Sequence, residues 1–146
     1  MFVTILGLVS CEDDSKDASK GLVYSLNVDG ESYSIYGAGD CKDALIIIPK
    51  SYENKPVTGI CDYAFAYPIL YSSYDKILMA RRIGKIQLPS TITEIGSYAF
   101  YDCSALESIV FDGTVEQWNE ITKGDNWNGY VPATYVQCSD GTVPLN

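Results

Sequence analysis

Apolar and polar positions alternate in short runs along much of the chain rather than in a long helical period. Residues 45–48 (LIII), 85–88 (KIQL) and 108–111 (SIVF) each read as a short, half-buried strand. Pro49 and Pro89 close the first two runs, where proline removes a ladder donor and fixes a turn. Between them lie VTGICDYAFAY (57–67) and ITEIGSYAFYD (92–102), which align without a gap. Val57 matches Ile92, Thr58 matches Thr93, Ile60 matches Ile95, and Tyr63-Ala64-Phe65 matches Tyr98-Ala99-Phe100; Cys61 stands where the second copy has Gly96. The pattern turns Ile92 and Ile95 inward. It predicts one or two helical turns over 97–103, with Ala99, Phe100 and Cys103 on the core side. Cys103 then acts as a small buried hydrophobe, and Phe65 and Phe100 are equivalent buried residues. Leu88 and Phe111, each the last inward residue before a turn, lie 23 positions apart.

A period of that length falls in the range of leucine-rich repeats. The series Ile86, Leu88, Pro89, Ser90, Ile92, Thr93, Ile95, Gly96, Ala99, Phe100, Cys103, Leu106, Ile109 resembles the BspA-type leucine-rich repeat of bacterial surface proteins. The resemblance implies a strand-rich α/β fold: a short right-handed solenoid of parallel strands and one-turn helices. It also implies adhesion or recognition of a protein partner at a cell surface.

A stack of so few repeats leaves open ends that need covering. On the N-terminal side, Val23/Ser25 and Tyr33/Ile35 alternate around Asp29-Gly30, which predicts a hairpin. On the C-terminal side, Thr114 and Gln117 are spaced as a capping box. Val115, Trp118 and Ile121 make one apolar face, with Gly124 past the end, and 133–141 supplies a last strand and a turn. Trp118 on that face reads as core; Trp127 is the better candidate for an exposed aromatic. The first repeat carries extra residues around 53–56. An insert at 68–82 is either an excursion folded over the repeats or a binding loop.

The N-terminus has a different character. Residues 2–9 are almost all apolar, too short to span a bilayer but suited to a secretion signal. Leu8-Val9-Ser10-Cys11 resembles the lipobox of bacterial lipoproteins, which implies lipidation at Cys11 and an outer-membrane anchor on the extracellular face. The other reading of 2–9 is a buried strand. The expected division is a signal segment at 1–11, an acidic flexible tether at 12–20 and a single repeat domain at 21–146.

Charge and composition narrow the function. With 10 Lys+Arg against 19 Asp+Glu, the net charge of −9 disfavours nucleic acid, whose phosphates require clustered positive charge. The chain has no histidine, which removes histidine-based triads and metal sites. Its five cysteines show no CxxC spacing. No catalytic residue, cofactor site or metal site is therefore assigned. Outward strand positions Ile47, Gln87 and Val110 should align across adjacent repeats as a partner-binding strip, unless the insert covers it. A carbohydrate-binding module using exposed tyrosines and Trp127 is the alternative.

Overall fold

Runs of two to six alternating residues are too short to bury much alone, so they gain a core only by stacking edge to edge. The computed structural model describes residues 17–66 and 80–145. In chain order the elements are β1 (Val23–Leu26), β2 (Tyr33–Gly37), β3 (Leu45–Ile47), β4 (Ser51–Tyr52), β5 (Lys55–Ile60) and β6 (Lys85–Leu88). They continue with β7 (Glu94–Ile95), β8 (Ser108–Phe111), α1 (Val115–Glu120), β9 (Thr122–Lys123), β10 (Tyr135–Gln137) and β11 (Thr142–Pro144).

Two sheets result, ordered β1-β2-β5-β7-β9 and β11-β10-β8-β6-β3, with β4 attached to β5. The β1–β2, β4–β5 and β10–β11 pairs are antiparallel and every other pair is parallel. The chain is thus a strand-rich α/β fold with mostly parallel strands. Register is set by inward columns. Ile46, Ile86, Ile109 and Val136 stand opposite one another in the second sheet, and Ile35, Ile60 and Ile95 in the first. All are at most 2% exposed, and each such side chain contributes roughly 1.5–3 kcal/mol. A slip of one residue would turn a whole column to solvent.

The expected hairpin forms from β1 and β2. Asp29 Oδ1 accepts from the backbone N–H groups of Glu31 and Ser32, and Gly30 takes the φ of +68° that its turn requires. The extra residues of the first repeat make a second hairpin between β4 and β5. Its two turn residues, Glu53 and Asn54, both have positive φ, as a turn matched to strand twist demands.

Two expectations need correction. Residues 97–102 form consecutive turns, not helical ones. Tyr98 and Asp102 lie at φ 56° and 57°, which breaks a helix. Alternate amides therefore reach sideways: Tyr98, Phe100 and Asp102 N–H donate to the carbonyls of Asp125, Trp127 and Gly129. Tyr63 and Phe65 do the same to Ser97 and Ala99. The second concerns Ser19, which the sequence reading places within a flexible segment at 12–20. Ser19 is buried, its N–H donates to Ile47 O, and Ile47 N–H donates to Ser19 Oγ, so the chain lies along the β3 edge. Cys11, the apolar run before it and most of the 68–82 insert lie outside the described residues.

Candidate functional site

The parallel register of β3, β6 and β8 places Ile47 opposite Gln87 and Gln87 opposite Val110; Gln137 of β10 stands opposite Val110. These positions thus stand in a row, with Ile47, Gln87 and Val110 half-buried and Gln137 exposed. Gln87 Nε2 donates to Asp112 Oδ1 at 2.9 Å, and Gln137 Nε2 to the carbonyls of Cys138 and Gly141. These bonds hold both amides along the sheet. Two residues earlier in each strand, on the same face, exposed Leu45 and Lys85 and half-buried Ser108 extend the row. This is a mixed apolar and polar surface.

Trp127 does not join it. The indole is 8% exposed and meets Phe100 edge-on at 6.2 Å and Trp118 at 5.8 Å. Its backbone carbonyl accepts from Phe100 N–H, one step along the turn ladder, which makes it the closing aromatic of the core rather than the exposed aromatic expected from the sequence. Trp118 is 2% exposed, as its position on the apolar helix face implied. The capping box is present in full: Thr114 Oγ1 accepts from Gln117 N–H, and Gln117 Oε1 from Thr114 N–H. Lys123 stands where Ile95 stands one strand earlier. Its ammonium donates to the carbonyls of Trp118 and Ile121, at the end of α1, and sits 4.7 Å from the Trp118 ring centroid. Burial pulls its pKa down, while those partners hold the charge in place.

Cys41, Cys61, Cys103 and Cys138 are free thiols, and burial pushes each one's pKa up. Cys103 is pushed up to about 12 and its Sγ donates to Phe65 O, the environment of an inert core thiol. Among the described residues no group of three or more His, Cys, Asp or Glu side chains could hold a metal ion.

Sequence reasoning passed over a tyrosine cluster on the turn ladder. Tyr63 and Tyr98 stack with ring centroids 5.0 Å apart, Tyr98 meets Tyr101 at 5.4 Å, and Tyr101 meets Tyr130 at 5.2 Å. The matched Tyr63 and Tyr98 of the two copies were the available signal. Each lies two residues before a buried phenylalanine, and the two stack on one another.

Residues 72–122 match the family described as BspA type leucine rich repeat region (6 copies). No curated protein matches the chain. Among solved structures, it resembles a leucine rich cell surface protein from Faecalibacterium prausnitzii A2-165, with a TM-score of 0.54 and 21% identity over 84% of this chain. A leucine rich repeat protein of T. pallidum gives a TM-score of 0.53 and 16% identity over 82%. One from Bacteroides capillosus gives 0.52 and 16%, also over 82%. The chain spans 31%, 63% and 94% of those proteins, respectively. At such identities the likeness is one of fold: a leucine-rich-repeat architecture.

Proposed function

We propose that this chain is a non-catalytic recognition protein of a cell surface, its repeats forming a short solenoid that binds a protein partner. In this reading the β1–β2 hairpin closes one end of the solenoid, and α1 with β10 and β11 closes the other. A lipid on Cys11 anchors the chain to the outer face of an outer membrane. The observation that carries the binding role is the in-register row of Ile47, Gln87 and Val110. Stacking places two half-buried aliphatic side chains beside an amide whose geometry is already fixed, and contiguous apolar groups can anchor a partner where scattered ones cannot. The resemblance to a cell surface protein supports the address.

The full chain is applied in parallel to arrays of purified matrix proteins and of glycans, together with the Ile47→Ser/Val110→Ser double variant. The expected result is a protein ligand whose binding falls about tenfold or more in the variant. Binding only to glycans would replace this reading with the carbohydrate module, and a protein ligand held equally by the variant would remove the strip. Cys11→Ala should shift the chain from the detergent phase to the soluble fraction.

A further inference from the structure

The tyrosines of the turn ladder form a surface chemically unlike the strand strip. Tyr63 and Tyr130 are 59% and 75% exposed, and half-buried Tyr98 and Tyr101 connect them into one run of four rings. The three segments that build it, 61–66, 96–104 and 124–131, carry Asp62, Asp102 and Asp125 and neither lysine nor arginine. The three residues follow the ladder: Asp62 Oδ1 accepts from Ser97 N–H, the charge of Asp102 reaches the Tyr101 phenol, and the backbone carbonyl of Asp125 accepts from Tyr98 N–H. We propose that this face is a docking surface for a cationic protein segment, whose arginine or lysine heads lie against the tyrosine rings and near the three aspartates.

Ring geometry favours that occupant over a sugar. A flat pyranose asks for an open ring face or rings side by side in one plane. Here Tyr63 and Tyr98 lie 5° from parallel and cover one another, while Tyr98–Tyr101 and Tyr101–Tyr130 cross at 66° and 81°. A guanidinium needs only one face or edge together with a carboxylate, and tyrosine attracts a cation through its negative ring face. The overall charge of −9 adds long-range attraction for a basic partner. The backbone adds a further observation. Tyr63, Tyr98 and Tyr130 occupy left-handed φ values of 56° to 60°, where a bulky side chain is disfavoured, although Asn126 shows that asparagine fits the same ladder.

That asparagine supplies the test. Binding of a short peptide alternating arginine and glycine to the full chain is measured by isothermal titration, at low and high salt. A glutamate-glycine peptide and neutral oligosaccharides serve as comparison probes. The arginine peptide should bind and the others should not. Tyr63→Asn/Tyr130→Asn should weaken it about tenfold or more, with the melting transition retained because asparagine tolerates the backbone. Asp125→Asn should weaken it less, and only at low salt. Arginine-peptide affinity unchanged in the tyrosine variant, or preference for the oligosaccharides, overturns the proposal. The Ile47→Ser/Val110→Ser variant should leave peptide binding intact, so the two surfaces can fail separately.

Discussion

The middle of the stack and its two flanks are held by different means. In the middle, β6, β7 and β8 place Ile86, Leu88, Ile95, Ile109 and Phe111 in columns, and Phe65 stacks on Phe100 with centroids 5.3 Å apart and planes 6° from parallel. At the C-terminal flank the backbone ladder continues, since β9 pairs β7 in register and Gly124 N–H donates to Ile95 O as Gly96 N–H does to Ile60 O. The side chains do not continue. Lys123 replaces the isoleucine, Trp127 takes the rung of Ala99, and Asn128 takes that of Phe100. Backbone register therefore outlasts the apolar pattern, provided other groups fill the space and satisfy the polar atoms. Glycine is retained for a reason of room: a Cβ at Gly124 would lie 2.4 Å from Ser97 N, and one at Gly96 2.5 Å from Asp62 N.

The largest effect should come from the stacked rings. Phe100 is fully buried between Phe65 and Trp127, so Phe100→Ala should cost about 3–5 kcal/mol in urea unfolding. Trp127→Ala should cost about 3 kcal/mol, at the low end for a buried aromatic because the indole keeps slight exposure. If Trp127→Ala costs under about 1 kcal/mol, the final rung is decoration and the equivalence of flank and middle breaks.

That contrast explains what was legible. The strands, the Phe65/Phe100 equivalence, the buried Cys103, the capping box and the alignment of Ile47 with Gln87 and Val110 all follow from side chains recurring at fixed spacing. The rung at 122–130 escaped because none of its outward signals recur: TKGDNWNGY shares only glycine with EIGSYAFYD. Trp127 read as exposed for the same reason, an aromatic among polar neighbours with no visible partner. The helical turns expected at 97–103 failed on a second ground. Inward spacing of Ala99, Phe100 and Cys103 suits a helix, but it suits a run of turns equally, and only the φ values at Tyr98 and Asp102 separate them. The tyrosine face was invisible because it depends on rings from three segments meeting in space.

A middling effect should sharpen the contrast on the helical side of the C-terminal flank. Thr114 satisfies the Gln117 N–H at the start of α1, a helix of only six residues. So short a helix gains little from propensity and depends on its first turn. Thr114→Ala should cost about 1 kcal/mol and Thr114→Ser much less, read from the shift of the urea midpoint. A loss approaching that of Phe100→Ala would mean the flank governs the stability of the whole stack.

The smallest effect belongs to the N-terminal hairpin and appears only as a pH dependence. Asp29 has its carboxyl held below the usual carboxylate range, first by the Glu31 backbone N–H and then by the Ser32 hydroxyl, with the Ser32 N–H and the nearby Lys55 charge adding to it. A depressed folded-state pKa means the ionised form is favoured by folding. Its contribution is present above the ordinary value of 3.8 and is lost as pH falls through the lower folded value. Wild-type protein and Asp29→Asn should therefore differ in melting temperature at neutral pH and converge as pH drops below about 4, since the remaining carboxylates act alike in both. The asparagine still offers one oxygen to the turn, which keeps the difference small and makes its pH dependence the decisive readout. A constant offset at every pH would show that Asp29 serves only as a turn former, and would leave the N-terminal flank held by shape rather than by charge.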